Sequence, residues 1–360
     1  MSRLSLFPPK RAADSEGPTT MTLATKDVSD VETPESPEAL STPGYRKSSL
    51  LARYGAVGLL GLLVVVFSAL KPDTFPTNAN LTTLLSTQTV VVILALGALL
   101  PLVCGEFDLS VGYVLGFSAM QVAVLTGSGM NWVLALLSAV GVGAVIGLLN
   151  GVLVVKVGIN AFVATLGSGT LLSGITVWMS NGQVVFKDIP SGFLQFGRKS
   201  IFGLQYPVFW MIAIAAVLYY VLNYTPFGRS LYAIGGGREA ARLAGLPTVR
   251  HRMVAFVLAS SIAAFAGVLT TATLGSAQPD RGPTYLLPAF AACFLGATMI
   301  RPGRFNVMGA VIALFLLGVG VNGLQQLGAP FWLPNVFNGA ALLVAVGLTQ
   351  LRRGSRSSRT

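Results

Sequence analysis

Charge is scarce in this sequence: only 10% of its 360 residues are charged, and most of its 13 acids stand before residue 40. Beyond that point the acids are Asp73, Glu106, Asp108, Asp188, Glu239 and Asp280. The single histidine, His251, excludes a histidine metal cluster within the chain, and no nucleophile is set beside a histidine partner. The two cysteines, Cys104 and Cys293, lie within or at the edge of apolar segments, where they read as packing residues without a redox role. No Gly-x-x-x-x-Gly-Lys-Ser/Thr run occurs, and Gly235-Gly236-Gly237 is not followed by a lysine, so the chain has no P-loop for ATP. Together these absences remove most enzyme classes.

Apolar surface, by contrast, is abundant. At 53% hydrophobic residues the chain carries more than a soluble core buries, which marks a polytopic membrane protein. The net charge of +11 then reads as topology signals at the ends of spans, not as a nucleic-acid surface. Residues 1–48, rich in Ser, Thr, Pro and acids, are expected to form a disordered tail. The first apolar run begins only at Leu50, so it reads as a span and not as a cleaved leader. At about 20 apolar residues per crossing, spans are expected at 51–70, 86–104, 110–127, 132–155, 161–180, 205–222, 253–273, 286–299, 305–324 and 332–350. The expected fold class is all-α and polytopic, with about ten transmembrane helices, both termini cytoplasmic, and short broken or re-entrant helices where the eighth span is short.

The basic residues test this map, because charges flanking successive crossings must segregate. With both termini inside, the cytoplasmic flanks hold Arg46, Lys47, Arg53, Lys156, Arg229, Arg238, Arg242, Arg250, Arg252, Arg301, Arg304, Arg352, Arg353, Arg356 and Arg359. External loops hold Lys71, Lys187, Arg198, Lys199 and Arg281, a bias of about three to one. Trp132, Trp178, Trp210 and Trp332 all fall at external ends of spans, where an interfacial aromatic belt places them. Glycines recur inside spans as Gly141-x-Gly143-x-x-x-Gly147 and Gly318-x-Gly320-x-x-Gly323, a spacing that lets helices approach closely.

The longest cytoplasmic connection on this map, Thr225–Arg252, is a basic island with one acid, Glu239. Within it Glu239-Ala240-Ala241-Arg242-Leu243-Ala244-Gly245 reads as a short helix, with three glycines before it and Pro247 after it. Two external segments, Asn181–Gln205 and Gly275–Leu286, are long enough to face a docked partner or to be plain solvated loops; the first suits a short re-entrant or surface hairpin. Glu106 and Asp108 stand together between two apolar runs. A carboxylate deep in a bilayer costs roughly 2.5–3.5 kcal/mol on insertion scales, so the pair has two roles open: substrate or gate contacts, or capping of the next helix by Asp108 or Ser110.

Five stretches, taken together and in order, resemble the membrane permease of a bacterial ATP-binding-cassette (ABC) importer, in particular the ribose-type sugar permeases. They are GEFDLSVG (105–112), NGVLVVKVGINAFVATLGSGTLLSGI (150–175), TPFGRSLYAIGGGREAARLAGL (225–246), GVLTTATLGSAQP (267–279) and GAVIALFLLGVGVNGLQQLG (309–328). The resemblance implies a binding-protein-dependent component of the bacterial cytoplasmic membrane that forms the path for a ribose-like monosaccharide or related polyol. Its implied partners are a cytoplasmic ABC ATPase, a second permease subunit in a homo- or heterodimer, a periplasmic or lipid-anchored sugar-binding protein, and membrane lipid, with no nucleic acid. No cofactor is implied in this chain, since ATP and Mg belong to the ATPase.

By the same resemblance, residues 49–351 form the permease domain, with a coupling loop at 225–252, and residues 352–360 form a basic cytoplasmic tail. Arg238, Glu239, Ala240, Ala241, Arg242 and Gly245 are expected to meet the ATPase. There Glu239 orients the helix or meets a basic group, the alanines permit close packing, and Gly245 allows the turn that ends the helix. Expected along the substrate path or gate are Glu106, Asp108, Ser110, Asn150, Asn160, Thr165, Gln278 and Asn322, with Gln88, Ser168 and Gln325 as further polar groups; such groups also bond helix to helix. Glu106 stands where many relatives have glycine, Phe107 where many have isoleucine, and Met299–Arg304 replaces a Ser/Gly-rich turn. A nucleoside or autoinducer-sugar importer of the same family is the near alternative. An ion-coupled transporter would have only Glu106 and Asp108 as ion sites.

Overall fold

The computed structural model of the chain describes residues 50–357, with side chains described over 54–347. The tail expected at 1–48 lies outside the described residues. Every apolar segment expected from the sequence carries a helix: α1 (Leu50–Leu70), α2 (Asn78–Val103), α3 (Ser110–Gly127), α4 (Trp132–Gly151, prolonged by a π-helical turn, Val152–Val157) and α5 (Ala161–Ser180). After α6 (Ser191–Arg198) and a two-stranded hairpin, β1 (Ser200–Ile201) and β2 (Leu204–Gln205), come α7 (Tyr206–Tyr224), α8 (Pro226–Gly236), α9 (Arg238–Leu243) and α10 (Thr248–Leu274). The chain continues with α11 (Arg281–Thr284), α12 (Leu286–Gly296), α13 (Val307–Gln326) and α14 (Leu333–Ser357). Polar residues set the helix starts: Thr77, Asn131, Asn160 and Asn306 each accept a backbone N–H from the first turn of α2, α4, α5 and α13.

Among the described residues, seven helices are long and apolar enough to cross a membrane, and Tyr54–Leu70 and Leu333–Gly347 are shorter apolar helices. The remaining expected span, 286–299, is the short helix α12 of 11 residues, about 16 Å long at 1.5 Å per residue, or half a bilayer. It begins after a turn carrying Pro283 and packs against α2, α13 and α14. α14 runs on to Ser357, past the 352 boundary expected for the basic tail.

The core is built around α2 and α10. From Thr89 to Val103 every residue of α2 is buried, which is why its apolar residues fall on all sides and not on one stripe. α10 packs along α2, α3 and α4 at once. Its contact residues are small (Ala259, Ser260, Ala263, Ala264, Gly267), so the approach is backbone to backbone. A Cβ on Gly267 would lie 2.2 Å from the Leu115 carbonyl oxygen, and one on Gly147 would lie 2.5 Å from that of Phe256. Of the glycine runs noted above, Gly143 and Gly147 meet α10, whereas Gly141 faces open space.

The Asn181–Gln205 segment forms the hairpin expected of it, with Phe202 and Gly203 at positive φ in the turn, and adds α6, which the sequence reading missed. α6 packs against α10, and Arg198 donates to the carbonyls of Thr273 (2.8 Å) and Leu274 (2.8 Å), closing the C-terminus of α10. A backbone bridge, Val185 to Ala277, joins the two long segments that the charge map places outside. Replacing Gly267 by Val forces α3 and α10 apart. The expected loss exceeds about 3 kcal/mol, seen as loss of monodisperse protein on gel filtration in detergent, whereas Gly141→Val elutes as wild type.

Candidate functional site

The polar island folds into two short helices at one end of the bundle. Thr225 caps α8 by accepting the Gly228 N–H (3.3 Å), and Pro226 takes the first helical position, where no N–H is needed. α8 ends in the three glycines because Gly235 lies on the end of α2: a Cβ there would be 2.1 Å from the Val103 carbonyl oxygen. α9 follows at once. It closes with Gly245 at φ +79° and a bond from the Leu246 N–H back to the Ala241 carbonyl (3.1 Å), the pattern that permits an abrupt stop.

α9 has two faces. Ala241 is buried against the bundle, while Ala240 is exposed, so only one of the two alanines packs inward. Glu239 and Arg242 pair with each other at 3.0 Å on the outer face, with side chains 73% and 67% exposed, and Leu243 projects beside them at 83% exposure.

Beneath α9 lies the connection between α2 and α3. Here Glu106, whose side chain is 7% exposed, takes two arginines on one oxygen: Arg238, the first residue of α9, and Arg252 of α10 at 2.5 Å. Arg252 is as buried as Glu106, and its Nε has no partner among the described residues. Phe107 stacks on Phe290 and Phe294 of α12, with centroids 6.4 and 5.9 Å away. Asp108 Oδ1 accepts the backbone N–H of Ser110 (3.0 Å) and its hydroxyl (2.5 Å), and Asn150 of α4 donates to that hydroxyl (2.8 Å). The Leu109 N–H donates to Thr165 of α5 (3.0 Å). Burial pushes the Asp108 carboxyl up to about 6, with the Ser110 bonds pulling the other way.

Five of the residues singled out for the path or gate, Glu106, Asp108, Ser110, Asn150 and Thr165, therefore meet in one cluster, and it adjoins the island. The others lie apart. Asn160 is exposed and accepts the Phe162 N–H (2.9 Å) as a helix cap. Gln278 is exposed beyond the far end of α10. Asn322 accepts from Gln326 (3.1 Å), which also bonds Asn80 (2.8 Å) and Thr74 (2.8 Å) at the far end of α2. Gln88 is half-buried against Gly318, Ser168 donates to the Thr165 carbonyl (3.1 Å), and Gln325 is exposed.

Sequence reading missed Arg252 as a buried partner, and it missed Gln326. Neither had a signal in the sequence: no arginine stands between Arg53 and Arg198, so nothing near Glu106 points to a partner at 252. The turn Met299–Arg304 also meets the island. Arg301 donates to Asn223 at the end of α7, Arg304 lies 4.1 Å from the Tyr232 ring centre, and the Tyr232 hydroxyl donates to the Phe305 carbonyl (2.6 Å).

Comparison with known proteins gives this arrangement a family. The profile described as "Branched-chain amino acid transport system / permease component" matches residues 80–346. The chain belongs to that family. Among curated relatives, the ribose import permease protein RbsC of Bacillus subtilis is 35% identical over 288 residues, covering 80% of this chain and 89% of the relative. The D-allose transport system permease protein AlsC of Escherichia coli is 31% identical, covering 83% and 92%. The L-arabinose ABC transporter permease protein AraH of Azospirillum brasilense is 30% identical, covering 90% and 96%. The chain is thus a multi-pass permease of an ABC importer and not an enzyme; ATP is hydrolysed by a separate chain.

Removing the permease's Glu106 leaves Arg252 buried and uncompensated. Glu106→Ala is expected to lower stability by about 3–5 kcal/mol, read by thermal unfolding of the purified full chain. Glu239→Ala, which opens an exposed pair, costs less than about 1 kcal/mol.

Proposed function

We propose that this permease forms the membrane path of a monosaccharide importer and receives its driving force through α9. The observation that carries the reading is the outer face of α9, where Leu243, Glu239 and Arg242 stand exposed while Ala241 is held against the bundle. Such a face suits a cleft in a cytoplasmic ATPase: the leucine fills it, the charged pair sets its orientation, and Gly245 lets the chain turn back into α10 without a bulky neighbour. The sugar class rests on the relatives, named for import of ribose, allose and arabinose.

In this reading the island, the Met299–Arg304 turn and both termini face the cytoplasm, α1 and α14 complete the crossings, and α12 is the short eighth span, giving ten. The membrane is the bacterial cytoplasmic membrane. A second permease subunit completes the path, and a sugar-binding protein docks at the opposite end, where α6, the hairpin and the Asn80–Asn322–Gln326 group lie. Neutral sugars need hydroxyl and amide partners, which that end supplies; at the α9 end Glu106 is already held by Arg238 and Arg252, and Asp108 Oδ1 by Ser110. ATP-driven closure of the ATPase pair draws the two α9 helices together and opens the path outward, and hydrolysis resets it.

Proteoliposomes holding the permease, its ATPase and its binding protein are expected to accumulate at least one of radiolabelled D-ribose, D-allose and L-arabinose only with internal ATP. Uptake driven by an ion gradient without the ATPase would overturn the reading. Glu239→Lys and Gly245→Asp are expected to insert normally yet lower uptake by about tenfold or more, in the range typical of coupling between sites. Wild-type uptake in both would remove α9 from the mechanism.

A further inference from the structure

Among the described residues, α9 has two side-chain polar contacts, and one of them, Glu239 to Arg242, stays within the helix. The other, Arg238 to Glu106, is what ties it to the membrane helices. The same carboxylate oxygen holds Arg252, four residues into α10, so one acid joins the coupling helix, the helix it feeds and the connection between α2 and α3. The sequence offered Glu106 as a residue of the substrate path, and the family resemblance assigns this position no charge. In the structure its whole environment is cationic.

What lies on the other side of Glu106 gives the contact a reach. Within the next four residues the connection stacks on α12 through Phe107, bonds α4 through Asp108, Ser110 and Asn150, and bonds α5 through Leu109 and Thr165. Gly105, at φ +84°, packs against Gly235 at the end of α8. Within the connection the polar side chains are held tightly: Ser110 is fully buried and Asp108 is 1% exposed. A displacement of Arg238 reaches α2, α3, α4, α5 and α12 through six consecutive residues, whereas along the backbone α9 is joined only to α8 and α10.

We propose that Glu106 is a positioning residue for coupling: by holding Arg238 and Arg252 on one carboxylate, it transmits movement of α9 to the α2–α3 connection and so to the helices that bound the path. This rests on the reading of α9 as the ATPase contact. With two arginines on one acid, either can slide on it without leaving a bare carboxylate. The link transmits motion while holding its charge balance. Arg242, which among the described residues pairs with Glu239 of its own helix, has no part in it.

The test uses the full-length permease with its ATPase in nanodiscs and reads hydrogen exchange across residues 104–109, with and without a non-hydrolysable ATP analogue. In the wild type the analogue is expected to change exchange in this segment. In Glu106→Gln and in Arg238→Gln the ATPase still co-purifies, but the response at 104–109 falls by about fivefold or more, and the double variant falls no further. Arg238→Lys retains the response. Arg238 is half-exposed, so Arg238→Gln carries the test if Glu106→Gln does not fold. An undiminished response in Arg238→Gln, or losses that multiply in the double variant, would overturn the inference. Gly245→Asp separates the two layers. If the ATPase binds it and the response persists, α9 docking itself is wrong; if binding is lost there while Arg238→Gln responds normally, only the role of Glu106 falls.

Discussion

The constraint on which this molecule depends is that helices in a bilayer gain nothing from burying apolar side chains against one another, since lipid offers the same environment. Association has to come from closeness. In this chain it comes from α10, whose small residues let α2, α3 and α4 come down on its backbone, with Gly267 seated on Leu115 and Phe256 on Gly147. The rest is arranged around that block. α6 closes one end of α10 through Arg198, and α9 opens into the other end through Pro247.

The two ends of the block differ in kind. The end bearing α6 and the hairpin offers neutral hydroxyls and amides and aromatic edges, with Trp132 and Trp210 packed on Phe196. The end bearing α9 gathers buried charge, with Glu106 between Arg238 and Arg252 and Asp108 turned onto Ser110, beside the exposed face of α9. The two ends are separated by the length of α10, about 40 Å at 1.5 Å per residue for its 27 residues. Whatever passes between them passes through packed helices.

Most of the helices were legible because apolar runs of membrane length have few competing interpretations, and the basic flanks ordered them. The short α9 was legible for a different reason: glycines before it and Gly245–Pro247 after it mark ends that nothing else explains. What the sequence could not show was direction. Glu106 and Asp108 are two residues apart and chemically alike, yet one meets arginines from residues 238 and 252 while the other turns back on its own helix start. Polar residues chosen as a path divided between a cluster at one end and scattered caps and surfaces, because an asparagine that bonds a helix terminus reads the same as one that bonds a ligand. α6 escaped notice because its eight residues are too few for periodicity to declare itself.

The shared carboxylate also limits how this permease can change over generations. With both arginines leaning on Glu106, a glycine at that position strands a buried guanidinium, while loss of either arginine alone is borne by the one that remains.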